Sequence, residues 1–257
     1  MKKPNEILYE KETDEVVKFK YKKIKIDSSY TYLNKNLLYK IMSFLSYYTI
    51  AVPTAFIFKL TNRIKFYNTH LLKPYKKSGC FIYANHTNQF GDGLCPGLIC
   101  FPQKTNIIVN PSNVSIPIIG KFNKMWGALP LPDTLEASKN FNKAIKKIAT
   151  SKPVLIYPEA HLWPYYTKIR NFPASSFRYP VKLNKPVFTF TTTYHKMKHG
   201  KKPKIKIFVD GPFFPNNNLN EKDRQTELRN IVFSKLCERS RLSNYEFVKY
   251  TKKEFLW

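Results

Sequence analysis

The stretch that decides the fold of this 257-residue chain is CFIYANHTNQFGDG, residues 80–93. Its first five residues, 80–84, form a short apolar run that predicts a strand buried on both faces of a sheet. Polar and small residues follow directly, and His86 and Asp92 stand among them. Because α/β proteins place functional groups in the loops after buried strands, this stretch predicts both a fold class and a candidate site.

The chain downstream of this stretch alternates between short apolar runs and amphipathic patterns. Further strands are predicted at residues 105–109, 153–157, 186–194 and 204–209. Helices are predicted at 135–150 and 220–239, where apolar residues recur at helical spacing. This alternation favours an α/β fold, with a mostly parallel central sheet flanked by helices.

Residues 41–58 carry no charge, and lysine or arginine flanks them on both sides. The length is at the threshold for a membrane-spanning helix, but Pro53 would kink or break such a helix, and several hydroxyl side chains make it only moderately apolar. We expect an N-terminal membrane-associating helical segment that lies in one leaflet, with its basic flanks on lipid head groups. A buried core helix and a true membrane span are the alternatives.

The segment before this helix, residues 15–26, alternates apolar and lysine residues. Val17, Phe19 and Tyr21 alternate with lysines, and Ile24 and Ile26 continue the pattern. A period of two with a lysine-covered outer face predicts one or two short strands.

The formal net charge of +27 limits the partners of this protein. Such a chain is attracted to polyanions, which include nucleic acids, anionic membranes and phosphorylated substrates. A generally lysine-rich composition is the alternative explanation. Lysine is scattered along the whole sequence, and no helix-turn-helix, RNP or zinc-finger pattern is present. We therefore expect anionic membrane lipids as partners and no nucleic acid.

Four cysteines show neither a CxxC pair nor the spacing of a zinc site. They are Cys80, Cys95, Cys100 and Cys237. We expect reduced thiols in a cytosolic setting and no metal site. Cys80 and Cys95 lie near the opening stretch, but neither has a base in a recognisable pattern, so we interpret both as core residues.

His86 and Asp92 are the candidate catalytic residues. Histidine is the side chain best suited to accept a proton near neutral pH, and a neighbouring aspartate would fix its tautomer and stabilise the imidazolium. No serine or cysteine in a nucleophile-elbow setting accompanies them. The pair would therefore activate an external nucleophile. A polar loop with a structural histidine is the simpler alternative.

A second candidate group follows the strand at 153–157, in the stretch IYPEAHLW. Glu159 stands where that strand ends and is a candidate for hydrogen bonding to substrate hydroxyl groups or to neighbouring backbone amides. Lys168, Arg170 and Arg178 follow within twenty residues and would suit a phosphate group. The alternatives are a capping or ion-paired glutamate and a solvated basic surface.

Four blocks in this order resemble the glycerolipid acyltransferase family, whose best-known members acylate lysophosphatidic acid. The blocks are ANHTNQFGD, WGALPLPD, IYPEAHLW and KPVFTFTTTY, within residues 75–215. The resemblance implies that His86 is the general base, that Asp92 orients it, and that Asn85 and Glu159 belong to the substrate site. It also implies acyl-CoA or acyl-carrier protein as co-substrate and no other cofactor.

Three departures from the family pattern concern the site. Five residues instead of four separate His86 from Asp92, with Gly91 as the candidate for the extra residue. Asp133 and Leu162 occupy the two positions where the family has arginine. A glycerol-phosphate acceptor would then need Lys168, Arg170 or Arg178 for its charge, or the acceptor lacks that phosphate.

The resemblance and the residues together predict a membrane-associated O-acyltransferase with a lysophospholipid acceptor. It would act at the cytoplasmic face of the cell membrane as a peripheral or monotopic protein. We expect a basic, strand-rich extension at 1–36, a membrane-contacting helical segment at 37–66 and an acyltransferase domain at 67–257. The alternative functions are a non-catalytic lipid-binding relative and an acyltransferase for a non-phosphate acceptor.

Overall fold

The computed structural model describes residues 5–17, 23–75, 77–200 and 202–253. The strands are β1 (Asn5–Tyr9), β2 (Lys65–Tyr67), β3 (Cys80–Ala84), β4 (Asn106–Val109), β5 (Ala128–Pro130), β6 (Pro153–Ile156), β7 (Val187–His195), β8 (Lys204–Phe213) and β9 (Val248–Lys252). The helices are α1 (Leu37–Ser46), α2 (Val52–Thr61), α3 (Gly91–Ile99), α4 (Ser112–Ser115), α5 (Ile119–Met125), α6 (Leu135–Ile148), α7 (Arg178–Leu183) and α8 (Glu221–Ser240). Shorter turns are the π-helical turn Tyr47–Ala51 and the 3₁₀ turns Thr69–Tyr75 and Ala174–Phe177.

Seven strands form the central sheet in the order β2-β8-β7-β3-β6-β4-β5. The five strands from β7 to β5 are parallel, whereas β8 is antiparallel to β7 and β2 is parallel to β8. The predicted mostly parallel sheet with flanking helices is therefore confirmed. The carboxyl ends of the five parallel strands share one edge with the amino ends of β8 and β2, and we call it the site edge.

Side chains of β3 alternate between two apolar cores, one on each face of the sheet. Phe81 and Tyr83 pack in a cluster with residues of α6, α7 and α8. Ile82 and Ala84 pack in a second cluster with Cys95 of α3. All five residues of β3 are buried, as its continuous apolar run predicts. One face of the sheet therefore carries α6, α7 and α8, and the other carries α3.

The apolar N-terminal segment is one continuous helix, Leu37–Thr61, long and apolar enough to cross a membrane. Pro53 does not break it, because the π-helical turn ends directly before α2 and Pro53 lies in the first turn of α2. The buried side of the helix carries small and polar residues such as Ser43, Ala51 and Ala55. The large apolar residues are exposed: Leu37, Leu38, Ile41, Met42, Phe44, Leu45, Ile50, Phe56, Ile57 and Leu60.

The strand prediction for residues 15–26 is wrong for the part that the structure describes, and Phe19 and Tyr21 lie outside the described residues. Ile26 is fully buried without joining a sheet. Its backbone N–H donates to the carboxylate of Asp133 at 2.7 Å, and its carbonyl accepts from the N–H of Asp133 at 2.9 Å. A side-chain carboxylate therefore replaces the strand partner that the alternation implied.

The strand near the N-terminus is β1, which pairs in parallel with β9 near the other end of the chain. This small sheet covers the indole ring of Trp163, which lies 4.8 Å from the ring of Tyr9 and 5.0 Å from that of Tyr250. The indole N–H donates to the carbonyl of Asp14. We call β1, β9 and residues 10–17 the terminal strap, because together they hold down the loop after β6.

Candidate active site

His86 and Asp92 form a direct hydrogen bond at the site edge. The loop after β3 carries His86, and Asp92 lies in the first turn of α3. His86 Nδ1 is 2.8 Å from Asp92 Oδ2, although one residue more than in the family pattern separates them. The same oxygen accepts the backbone N–H groups of Thr87 and Asn88, each at 3.0 Å. Three donors thus fix one carboxylate oxygen of Asp92.

The turn before α3 brings the two side chains together. The Asn88 carbonyl accepts the N–H of Asp92, and the Asn88 side chain accepts the N–H of Gly91. Gly91 has no left-handed backbone, but a Cβ there would lie 2.3 Å from the Asn88 side chain. Gly91 therefore permits a close approach of the Asn88 side chain, and the chain accommodates the extra residue without a left-handed backbone there.

The second ring nitrogen of His86 faces outward. Its side chain is 23% exposed, and Nε2 has no hydrogen-bond partner among the residues that the structure describes. The imidazole stacks on Tyr157 at 4.4 Å, and the Tyr157 hydroxyl donates to the backbone carbonyl of Asp92. Because the Asp92 carboxylate can only accept a hydrogen bond, Nδ1 carries the ring proton and donates it to Asp92, and Nε2 is left as the basic nitrogen.

Burial raises the pKa of the Asp92 carboxyl, and the hydrogen bonds from His86 and the two backbone amides oppose that rise. All three donors favour the ionised form, because a carboxylate can only accept. A buried carboxylate behind an imidazole stabilises the imidazolium that forms when Nε2 takes a proton. The arrangement can therefore perform general base catalysis on an external hydroxyl group.

Glu159 forms a fully buried ion pair with Arg170. Arg170 Nη2 lies 2.9 Å from Glu159 Oε2, and the two side chains are 1% and 2% exposed. Burial raises the pKa of Glu159, and the guanidinium of Arg170 opposes that rise. Arg170 also donates to the backbone carbonyls of His161 and Glu12, and its guanidinium lies over the Trp163 ring. The structure therefore shows the ion-paired glutamate that the sequence left open, and it leaves neither side chain an exposed surface for a substrate.

Glu159 instead contacts the backbone of the loop that carries His86. Its carboxylate accepts the backbone N–H of His86 at 3.4 Å. Backbone bonds also join Trp163 N–H to the His86 carbonyl at 3.1 Å and Tyr165 N–H to the Thr87 carbonyl at 2.8 Å. The loop after β6 is thereby attached to the loop that carries His86. The ion pair therefore helps to hold the loop that carries His86.

Asn85, predicted to bind substrate, is buried and used within the protein. Its amide accepts from the N–H of Thr192 at 2.8 Å and donates to the Thr192 carbonyl at 3.0 Å. Both ends of the amide are thus bound to the backbone of β7, which anchors the chain directly before His86.

The two remaining predicted cations lie in different places. Lys168 is exposed, two residues after Tyr166, whose carbonyl accepts the Thr87 hydroxyl at 2.9 Å. Arg178 is exposed at the start of α7, and its guanidinium lies over the ring of Tyr179. Because α7 packs with the core that contains Phe81, Arg178 is on the opposite face of the sheet from α3. Among the three predicted cations, Lys168 is therefore the exposed one that follows a segment in contact with the motif loop.

The cysteines near the motif are unsuited to nucleophilic catalysis. Cys80 and Cys95 are both buried. Burial raises the pKa of the Cys95 thiol to about 12, and it raises that of Cys80 well above its usual range. Neither side chain is a thiolate near neutral pH, so an acyl-cysteine intermediate has no candidate at this site.

Sequence reasoning missed Tyr157 and Tyr194. The Tyr194 hydroxyl donates to the Thr87 carbonyl at 2.9 Å, and Tyr194 is fully buried beneath the motif loop. Tyr157 precedes Pro158 in the third block, so its position beside the motif was visible in the sequence. Its stacking on His86 depends on β6 lying next to β3, which the sequence does not specify.

The structure as a whole has the PlsC-like acyltransferase fold. One crystal structure with this fold is that of the 1-acyl-sn-glycerophosphate (LPA) acyltransferase PlsC from Thermotoga maritima. The match covers 82% of this chain and 98% of the Thermotoga chain, with a TM-score of 0.52 and 14% sequence identity. No family model and no curated protein sequence matches the chain. At this identity the similarity establishes a shared fold.

Proposed function

We propose that this protein is a membrane-associated acyltransferase that moves a fatty acyl group from a thioester donor to a hydroxyl group of a lysophospholipid. The observation that carries the proposal is the His86–Asp92 hydrogen bond, with Nε2 of His86 left open, in the loop after a central parallel strand. The shared fold supports the same class of reaction, because the Thermotoga protein is an LPA acyltransferase.

The reaction proceeds in two proton transfers without an acyl-enzyme. Nε2 of His86 takes the proton of the acceptor hydroxyl as its oxygen attacks the thioester carbonyl. The carbon–sulfur bond then breaks, and the leaving thiolate receives that proton from the imidazolium. The negative charge on the intermediate needs N–H donors. In the motif loop, the backbone N–H groups of residues 87, 88 and 91–93 already donate to acceptors within the protein. Stabilising the intermediate would therefore fall to other N–H donors.

Membrane association is proposed from the helix Leu37–Thr61, whose outward face is apolar over its whole length. A soluble helix would bury this face. Lys59 lies in the last turn of the helix, and Arg63 and Lys65 follow its end; these cations would contact anionic head groups at the cytoplasmic face. The helix then holds the site edge near the leaflet from which a lysolipid enters.

A non-phosphate acceptor is the second candidate, favoured by the side chains at the family arginine positions. Asp133 and Leu162 stand there, and Arg170 is enclosed with Glu159. Asp133 holds the backbone of Ile26 instead of a ligand. Lys168 is then the cation that remains for an acceptor phosphate.

A turnover assay on the purified protein tests both candidates. Acyl-CoA and acyl-carrier protein are supplied with lysophosphatidic acid, with a neutral monoacylglycerol and with lysophospholipids of larger head group. Transfer that is lost in His86→Ala supports the proposal, and the preferred acceptor separates the two candidates. Wild-type protein that binds these lipids and transfers nothing would instead identify a non-catalytic lipid-binding relative.

A further inference from the structure

An exposed apolar turn lies in the connection between β4 and β5. Its sequence is IPII, residues 116–119, and we call these four residues the apolar tip. Ile118 and Ile119 are 74% and 54% exposed, and Pro117 before them is exposed as well. Single exposed apolar side chains are ordinary on protein surfaces. Two neighbouring isoleucines that protrude together instead indicate a contact with something outside the chain.

The backbone of the apolar tip is unfavourable for the side chain that it carries. Ile118 has a φ of 62°, in the left-handed region that glycine and asparagine adopt readily and β-branched residues avoid. Gly120 closes the turn: its N–H donates to the Ile116 carbonyl at 2.7 Å, and a Cβ there would lie 2.3 Å from the Val114 carbonyl oxygen. Burial does not compensate for the strain at Ile118, because most of its side chain is exposed. The isoleucine is favourable at this position only if it meets an apolar partner.

The fold places the apolar tip at the site edge. Strands β4 and β5 are parallel, so the chain leaves β4 at the site edge and returns to the opposite edge before β5 begins. Helix α5 makes this return, because it begins at Ile119 and ends at Met125, shortly before β5. The Met125 carbonyl accepts from Nζ of Lys104 at 2.7 Å, and Lys104 lies just before β4. The apolar tip is therefore at the end of α5 that shares an edge with His86.

The apolar tip and the N-terminal helix Leu37–Thr61 lie on the same face of the sheet. The second half of that helix, α2, packs on α3. The first half, α1, is bonded to the end of α5: the Ser43 hydroxyl donates to the Met125 carbonyl at 2.6 Å, and the Trp126 indole N–H donates to the Ser46 hydroxyl at 3.3 Å. The exposed apolar side of the helix and the apolar tip therefore belong to one side of the molecule.

His86 lies between these two apolar surfaces along the site edge. The N-terminal helix ends just before β2, three strand positions from β3, and the apolar tip follows β4, two strand positions from β3 in the other direction. Because neighbouring strands are about 4.8 Å apart, these separations are roughly 15 Å and roughly 10 Å. A lipid leaflet in contact with both surfaces would cover the edge at which His86 acts.

The residues around the apolar tip are basic. The sequence from 93 to 132 contains no acidic residue, and Lys121 is exposed in the first turn of α5. The hydroxyl of Ser115 accepts the backbone N–H of Ile24 at 2.9 Å, which brings the exposed Lys23 and Lys25 beside the apolar tip. Isoleucines that protrude among lysines are suited to a leaflet with anionic head groups.

We propose that the apolar tip is a second membrane contact, which inserts Ile118 and Ile119 into an anionic leaflet. The proposal rests on the membrane association in the proposed function and adds a contact made by the part of the chain that carries the sheet. Insertion gives the exposed isoleucines an apolar partner, and the surrounding lysines reach the head groups. With two separated contacts the sheet cannot rotate about the N-terminal helix, so the site edge is held against the lipid.

The first experiment measures where the apolar tip lies when the full chain is bound to vesicles. Cys237→Ser leaves three buried cysteines, and Ile118→Cys then carries an environment-sensitive NBD label. The control is Ile231→Cys in the same background, because Ile231 is exposed on α8 at the other face of the sheet. On vesicles of phosphatidylcholine and phosphatidylglycerol, we expect the label at the apolar tip to shift to blue emission and to be quenched by doxyl-labelled lipids. The control label keeps the emission of a dye in water.

The second experiment removes the apolar side chains. In Ile118→Asn/Ile119→Gln, asparagine tolerates the left-handed backbone, so the Tm should equal or exceed that of the wild type. The control Leu219→Gln/Ile231→Gln removes two exposed apolar side chains from α8 and the residue before it. We expect the tip variant to lose about tenfold or more in vesicle affinity and the control to lose none. Turnover of a lysolipid embedded in vesicles should fall as well, whereas turnover of a short-chain lysolipid dissolved as monomers stays unchanged.

A tip label with the emission of a dye in water on vesicle-bound protein would overturn the proposal. Equal losses of turnover with the embedded and the dissolved lysolipid would overturn it too. Sedimentation of the lipid-free protein tests a second copy of the chain as the partner: a wild type that dimerises and a tip variant that does not would assign the apolar tip to self-association instead. An inserted label on a protein that transfers no acyl group to any acceptor would support the membrane contact and refute the proposed function.

Discussion

Two buried carboxylates at the site edge each pair with a basic side chain, and the two pairs differ in what they leave open. His86 and Asp92 meet at 2.8 Å, and Arg170 and Glu159 meet at 2.9 Å. Both carboxylates are buried. The imidazole keeps 23% of its side-chain surface exposed and has an open nitrogen, whereas the guanidinium is 1% exposed.

The His86–Asp92 pair can move a proton, whereas the Arg170–Glu159 pair can only hold a loop in place. A guanidinium keeps its protons at every ordinary pH, so Arg170 can only donate hydrogen bonds. An imidazole exchanges a proton near neutral pH, and Asp92 stabilises its charged form. Judged only by the distance within each pair and the burial of its carboxylate, the two pairs would be equal candidates for catalysis. The open Nε2 of His86 separates the catalytic candidate from the positioning pair.

The largest expected effect is on turnover when the open nitrogen is removed. His86→Gln keeps a polar side chain in the loop but has no base, so acyl transfer should fall by about 10²–10⁴-fold. Steady-state thioester turnover measures the loss, and thermal unfolding confirms an intact fold. His161→Gln is the matched control, because only the backbone carbonyl of His161 contacts Arg170 and its side chain belongs to neither pair. Near-normal turnover in His86→Gln would remove His86 from the mechanism.

The next largest effect is on stability when the buried pair loses its cation. Arg170→Met leaves the Glu159 carboxylate buried without its partner, which should lower the free energy of unfolding by about 3–5 kcal/mol. Chemical denaturation of the two proteins measures the difference. The same change should loosen the His86 loop, because Glu159 accepts the His86 N–H.

The double variant Arg170→Met/Glu159→Leu separates the ion pair from its packing. Replacing both charges with apolar side chains removes the uncompensated carboxylate, so we expect the double variant to be more stable than Arg170→Met alone. A double variant that is less stable than Arg170→Met would instead show that the bonds of Glu159 to the backbone of Arg170 and His86 dominate.

A smaller effect on turnover is expected from Asp92→Asn. An asparagine can place its oxygen where Oδ2 accepts the three N–H donors, so the tautomer and the loop are retained. The negative charge behind the imidazolium is lost, and kcat should fall by about ten- to a hundredfold while KM changes little. A variant that unfolds, or one with full kcat, would show that Asp92 serves the turn alone.

The sequence was sufficient to predict the sheet and the dyad, because both depend on local patterns. The buried strand before His86 is a continuous apolar run, and Asp92 is only six residues away. The same reasoning failed for Arg170 and Asn85. Their partners, Glu159 and Thr192, are 11 and 107 residues distant, and the pairing depends on how the loops cross the site edge. A polar residue near a motif does not reveal which way it faces.

The N-terminal helix is a second case in which packing, and not the sequence pattern, decides which side chains are exposed. Composition predicted an apolar helix, but Pro53 suggested a break that the π-helical turn avoids. The exposed positions of its large apolar residues emerged only from packing, since Ser43, Ala51 and Ala55 form the buried side. The alternation in residues 15–26 misled because Ile26 takes its hydrogen bonds from Asp133, a residue more than a hundred positions away.

The smallest expected effect is on the KM for a phosphate-bearing acceptor. It concerns the two predicted cations that are exposed, Lys168 and Arg178, because Arg170 is buried in its ion pair with Glu159. Lys168 follows the segment that contacts Thr87, so Lys168→Gln should raise the KM for a phosphate-bearing lysolipid by a few-fold, about what one solvent-exposed ion pair contributes. Arg178→Gln should change it less than about twofold, since α7 packs on the other face of the sheet. The KM for a neutral acceptor should not change in either variant, because no phosphate contact is lost. If both variants lose equally, general surface charge attracts the acceptor. If neither changes KM, Lys168 has no part in the site and the acceptor binds without a phosphate contact from the predicted cations.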